Sequence, residues 1–266
     1  MKSVFISGSI EIKELNSLVI DSLNNIIKNK LQVLVGDAHG IDSAIQRYFS
    51  DAQYDKVTVY SITNPPRNIA SNNFSIKIID YKQSNEYLTL DEKEKSKVEF
   101  SERKKQTFKD IEMSKIADFY LIIWNKKSEG TKNNILRGIF YNKKIKLIIE
   151  NKIISNKIIN ENYINQIYEN EKGIGIKKLK YRLDILLGED NLPSKEFLKK
   201  NEELRKIYPV STKTFLQNLP DYADYIVTSS YKGKETRKYK PSIIIKIKDE
   251  IIKYKNTIEE NFLFKI

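Results

Sequence analysis

Over the first 150 residues short β-branched runs alternate with longer segments of helical period, the pattern of a parallel sheet wrapped by helices. VFIS at 4–7 reads as a buried strand. Ile12, Leu15, Val19, Leu23, Ile26 and Ile27 recur at three- and four-residue spacings, which predicts an amphipathic helix. QVLVGDA at 32–38 is a second strand, with a helix from Ile41 to Phe49 behind it, and KVTVYSI at 56–62 a third. The NPPRN segment at 64–68 imposes a turn, because proline removes a donor and restricts the residue before it. FSIKIID at 74–80 reads as a fourth strand, and the charged stretch 82–105, which lacks an apolar stripe, as an exposed loop leading into a helix. FYLIIW at 119–124 and IKLIIE at 145–150 are near-continuous apolar runs of the kind covered on both faces. Between them a helix with Ile135, Ile139 and Phe140 turned to the sheet completes a doubly wound α/β, Rossmann-like domain over 1–150.

From Asn151 the chain becomes rich in Ile and Asn and weakly periodic, which predicts a helical connector over 151–190 that includes IKKLKYRLDILLG, closed by a C-cap at Gly188. Residues 191–266 form a basic, mainly helical module. Ser194 caps a helix over KEFLKKNEELRKIY. STKTFLQNL is a short helix, followed by a strand, a basic turn at KGKETRKYK, a second strand at IIIKI and a closing helix, so that the module resembles a winged helix.

Composition narrows the chemistry. The chain has no cysteine and a single histidine, His39, which excludes disulfides, thiolate metal sites, a cysteine nucleophile and multi-histidine metal sites. No metal and no cofactor is implied. No stretch approaches the apolar length needed to span a bilayer, and MKSVFISGSI lacks a signal-peptide core, so a cytoplasmic protein with no membrane partner is expected. The net charge of +12 is shared by both halves, with 24 basic against 19 acidic residues up to Glu150 and 23 against 16 beyond it. That balance permits polyanion binding; a Lys-, Ile- and Asn-rich composition from an AT-rich genome produces it as well.

Three strand-terminal turns carry the candidate chemistry. GDAHGID at 36–42 lies where a buried strand passes into a helix, so free backbone N–H groups and the helix dipole favour an anion or a ribose phosphate. Gly36 and Gly40 let backbone approach a ligand, and Asp37 and Asp42 accept hydrogen bonds from hydroxyls. KKSEGTKNNI at 126–135 repeats the arrangement with Ser128, Gly130 and Thr131, and Gly8 and Ser9 make a third such turn. The same residues also suit tight turns and helix caps. Trp124 reads as core or pocket wall.

Together with KDIEMSKIAD ahead of the late strand, where Lys109 and Asp110 form a charged pair at a helix start, these turns resemble the SLOG superfamily over residues 2–150. The resemblance is to its YspA-like branch, and more distantly to the DprA/Smf proteins and the LOG nucleotide hydrolases. It implies a Rossmann-like domain that binds nucleotides or nucleotide-derived small molecules, and a place in bacterial defence signalling. By position it implies ligand contacts at Gly8, Ser9, Gly36, Asp37, Gly40, Asp42, Lys109, Asp110, Ser128, Gly130, Thr131 and Asn134. The hydrolases carry a glutamate where Asn134 stands, and an amide is neither a general base nor a nucleophile. Asp37 and Glu129 are the remaining catalytic candidates. A binding or sensing role is therefore expected ahead of N-glycosidic cleavage.

The C-terminal module offers Lys213, Lys232, Lys234, Arg237, Lys238 and Lys240 beside Tyr231 and Tyr239, a set able to straddle a phosphate backbone and so to bind DNA as a DprA-like protein does. A solvated charged hairpin is the plain alternative. Homo-oligomerisation is left open.

Overall fold

A computed structural model describes residues 1–209, 215–216, 219–231 and 234–263. The chain divides into two compact units, Met1–Asn165 and Gln166–Ile266.

The first unit is built on a seven-stranded sheet. Its strands are β1 (Ser3–Gly8), β2 (Gln32–Gly36), β3 (Val57–Ser61), β4 (Ser75–Ile78), β5 (Phe119–Trp124), β6 (Lys144–Ile149) and β7 (Lys152–Ile154). They lie in the order β4-β3-β2-β1-β5-β6-β7, parallel except for β7. The chain winds outward from β1 to β4, returns across the sheet and continues from β5, so its topological switch lies between β1 and β5. In such sheets ligands bind outside the carboxyl ends of the strands at that switch.

Helices α1 (Ser17–Lys28) and α2 (Ile41–Asp51) cover one face, where Val19, Leu23, Ile45 and Phe49 pack on Ile6, Val35, Val59 and Ile123. The predicted first helix starts late. Asn16 caps α1 by accepting from the Val19 N–H, which leaves Ile12 and Leu15 in the preceding loop, still packed on the core. The other face belongs to α5 (Glu102–Ile116), lying against β1, β2 and β3, and to α6 (Glu129–Phe140). Ile135 is fully buried there, but Phe140 is 81% exposed. It sits five residues, half a turn out of phase, beyond Ile135, and Gly138 takes the sheet side instead, so close that a Cβ would lie 2.8 Å from Tyr120 and Ile145.

The stretch 82–105 is helical rather than a loop. After a 3-10 turn at Tyr81–Gln83 it forms α3 (Asn85–Leu88), α4 (Glu92–Glu99) and the first turn of α5. Side chains of Asp80, Ser84, Asp91 and Ser101 cap these segments in turn. No amphipathic stripe is needed because Tyr81 and Tyr87 stack with Phe108 of α5 at centroid distances of 5.6 and 6.1 Å, and both hydroxyls donate to Glu99. Lys115 and Glu86 pair across the same junction.

The first unit runs past residue 150. The antiparallel β7 pairs with β6, and Lys132 donates to Asn165 at 3.2 Å, near the start of α7 (Glu161–Lys172). In the second unit α8 (Ile176–Leu187), α9 (Lys195–Lys200), α10 (Glu202–Ile207) and α11 (Ile243–Leu263) accompany a two-stranded hairpin of β8 (Ile226–Tyr231) and β9 (Lys234–Tyr239). Leu179, Leu183 and Leu187 of α8 lie in its core with Leu204, Tyr239, Ile243 and Ile247, so 176–187 is part of this unit and not a connector. Gly188 and Ser194 cap as expected. The hairpin falls earlier than predicted. Residues 234–239 are themselves the second strand, and IIIKI opens α11, because Ile243, Ile247 and Ile251 recur every four residues and bury one helical face. Most of STKTFLQNL, including Lys213, and also Lys232, lie outside the described residues. Among the described residues no helix is long and apolar enough to cross a membrane.

Candidate functional site

The carboxyl ends of β1, β2, β3 and β5 gather most of the predicted contacts into two connected networks. The first is ionic. Asp37 follows β2, is fully buried, and takes the Arg67 guanidinium at 2.6 and 3.2 Å, the Arg67 N–H at 3.1 Å and the Ser61 hydroxyl at 2.8 Å. The Lys109 ammonium, 4% exposed, lies 3.4 Å from Asp37 and 3.7 Å from Asp110. Lys109 and Asp110 stand in the middle of α5 rather than at its start, which is how Lys109 comes to be buried over β2. Asn134 of α6 donates to Ser7 of β1 at 2.8 Å and to Asp110 at 3.3 Å, and accepts from Arg137.

Asp42, in the first turn of α2, faces the same ammonium. Gly36 leaves room for this: a Cβ there would collide with both the Asp42 carboxylate and the Lys109 ammonium. Gly36→Ala is therefore expected to cost about 1–3 kcal/mol as both charged ends are displaced, readable as a lowered urea midpoint; an unchanged midpoint would show that the two ends move freely.

The two carboxylates at the ends of this network differ sharply. Burial, the largest single influence, would raise Asp37, but the Arg67 hydrogen bonds, the Lys109 charge and the Ser61 hydroxyl together outweigh it and hold the carboxyl at about 2. Burial pushes Asp42 up to about 6; Lys109 opposes the rise, Asp110 and Asp37 add to it, and the Ala38 N–H, its one hydrogen-bond donor among the described residues, at 3.2 Å, recovers little. The residue as a whole is nevertheless only half-buried. Burial likewise lowers the Arg137 guanidinium from its usual value, against the pull of Asp110.

The second network joins the turns after β1 and β5 through Asn125. Its Oδ1 accepts from the Ser9 hydroxyl at 2.8 Å and from the N–H groups of Lys127 and Ser128 at 3.0 and 2.9 Å. Ser128 caps α6, accepting from the Thr131 N–H and hydroxyl, and its carbonyl accepts from the Trp124 indole at 3.0 Å. Trp124 is fully buried and is core.

The glycines separate closed turns from an open one. Gly40, at φ +80°, lies so close under the Ile10 carbonyl that a Cβ would overlap it, so the first two turns are packed against each other. Gly130, at the start of α6, faces open space. Beside it Glu129 is half-exposed and paired with Arg103 of α5 at 2.9 Å. His39 is exposed.

Asp37 is placed as an anchor for Arg67, with both oxygens committed and no surface for a substrate. Arg67, Asn125, Arg137 and Ser7 were not singled out by sequence. NPPRN reads as a turn and WNKKS as a strand end, and only the N-x-x-S spacing of an Asx turn ahead of a helix marks Asn125. Of the C-terminal basic residues, Arg237, Lys238 and Lys240 are placed on or beside β9, and Lys234 begins that strand.

A recess of about 320 Å³ bounded by Phe119, Tyr120, Ile145 and Ile154 lies at the amino ends of β5 and β6, away from these groups and from the end where parallel sheets hold ligands. Among the described residues no group of three His, Asp or Glu is placed to hold a metal ion. Set against protein-family models, curated proteins and solved structures, the chain matches none.

Proposed function

We propose that the first unit binds a nucleotide or nucleotide-derived small molecule at the carboxyl ends of β1, β2 and β5, as a SLOG-type domain, and does not cleave it. The observation that carries this reading is Asp42: a carboxylate with one hydrogen bond, held near 6 in a network whose other members are paired. Buried ion networks are weak sources of stability, and a group kept in an unfavourable ionisation state marks a site shaped for something other than folding. Ribose hydroxyls would give Asp42 the donors it lacks. A phosphate would meet the open N-terminus of α6 beside Gly130.

Binding without cleavage follows from the carboxylates. Asp37 is locked to Arg67, Asn134 occupies the place of the hydrolases' glutamate, and Glu129 is held by Arg103. On this reading the protein works in the cytoplasm, and ligand occupancy is passed to the second unit, whose basic residues contact a partner.

Isothermal titration of the full chain with nucleoside monophosphates, cyclic nucleotides and NAD-derived nucleotides is the test. One member is expected to bind, to be recovered intact, and to bind at least about tenfold more weakly to Asp42→Asn, the loss of one charge-assisted hydrogen bond. Silence across the panel sinks the reading; release of free base would replace it with N-glycosidic hydrolysis.

A further inference from the structure

The β8–β9 hairpin leaves the core of the second unit almost at once. Tyr239 is fully buried, 4.9 Å from Phe215 in an edge-to-face contact, and its partner Ile226 is half-buried. Beyond that pair Thr228, Ser229, Glu235, Thr236, Arg237 and Lys238 are all exposed. A two-stranded ribbon that buries neither face gains little from its own packing. Among the described residues this one is anchored at its base, where Ile174 exchanges two backbone hydrogen bonds with Tyr239, at 2.7 and 2.9 Å.

Strand alternation gives the ribbon two unlike faces. Arg237 shares its face with Thr228 and Glu235, and Glu235 stands 3.8 Å from the guanidinium. Lys238 shares the other with Thr236, Ser229 and Val227; the hydroxyls of Ser229 and Thr236 lie 3.3 Å apart, and no acidic residue accompanies them. Lys240 follows two residues on. The unit as a whole carries 21 basic against 15 acidic residues. Lysine with serine and threonine hydroxyls is the donor set of phosphate-backbone contacts. An anionic membrane would ask for several exposed apolar side chains beside the lysines, and single strands for successive aromatic rings to stack on; the register gives this face the half-buried Val227 and one aromatic residue, Tyr231, at the end away from Lys238. A two-stranded ribbon is also of a size that the major groove admits.

We propose that this ribbon contacts the phosphate backbone of duplex nucleic acid, without sequence selectivity, through the face that carries Ser229, Thr236 and Lys238, with Lys240 at its base. The neutral-looking arginine face points away. The proposal is independent of the ligand site in the first unit.

Fluorescence anisotropy of the full chain with a short mixed-sequence duplex, between about 50 and about 200 mM salt, tests it. Affinity is expected to fall with salt. Lys238→Gln combined with Lys240→Gln should reduce the log–log slope by about two and weaken binding about tenfold, Lys238→Arg should retain it, and Arg237→Gln should stay within about twofold of the parent. Matching circular dichroism and melting of the variants keeps folding out of the comparison. Absence of duplex binding, an Arg237→Gln loss equal to that of the lysine pair, tighter binding to the matching single strand, or binding to anionic vesicles in its place would each overturn the proposal. None of these outcomes touches the nucleotide titration.

Discussion

Lys109→Met is expected to destabilise the first unit by about 3–5 kcal/mol, the cost of leaving buried carboxylates without their counter-charge. The residue is nearly the length of lysine and keeps the helix, so the loss would be electrostatic. Three carboxylates meet the Lys109 ammonium: Asp37 at 3.4 Å, Asp110 at 3.7 Å, and Asp42 across Gly36. Arg67 continues to hold Asp37, and Asn134 continues to bond Asp110, but Asp42 has only the Ala38 N–H. Urea unfolding at neutral pH should show the loss, and acidification should shrink the difference from the parent as the uncompensated carboxyls take up protons. Asp42→Asn introduced beside Lys109→Met should recover part of it, since the pair are coupled. A Lys109→Met variant as stable as the parent, or a deficit that grows toward low pH, would mean that the ammonium is not what balances this cluster.

The sheet was legible because its central strands are covered on both faces and the exposed edge strand β4 still alternates Ser, Ile, Lys and Ile: FYLIIW is β5 residue for residue, and six of the seven strands lie where the β-branched runs place them. β7 was hidden by its three-residue length. The charged stretch ahead of α5 was misread because apolar period is only one way to hold a helix; here four successive caps and three rings do so, and the Asp and Ser positions before each segment were the available signal. Ile243–Ile247 was misread for the opposite reason. Consecutive isoleucines carry strand propensity, and only their extension to Ile251 reveals the helical period. Glycine turns located the end of the sheet that bears the site, yet not its wiring. Gly36 leaves the space that the ends of Lys109 and Asp42 occupy, and Arg67 arrives from a proline turn, both long-range arrangements without local pattern.

Asp42→Asn is expected to stabilise the protein at neutral pH while weakening ligand binding at least about tenfold. The sign follows from the raised carboxyl. Its folded value of about 6 exceeds the unfolded value of 3.8, so the folded state binds the extra proton, and the stability this confers is complete below 3.8 and lost as pH rises through 6. An amide carries no such loss, and its oxygen still accepts from the Ala38 N–H. The gain should therefore grow between pH 4 and 6 and level off above, at about 1–3 kcal/mol once the partial exposure of the residue is allowed for. Asp37 behaves oppositely: held at about 2, it contributes stability above the unfolded value that fades as pH falls toward 2, so the parent should lose stability at both ends of the acid range. Denaturant titrations of parent and variant across that range separate the two. If Asp42 were only a helix-capping charge at the start of α2, its removal would lower stability by a few tenths to about 1 kcal/mol with no such pH dependence. A stabilised variant that binds the nucleotide more weakly would instead identify the carboxylate as one retained for its ligand at the expense of the fold.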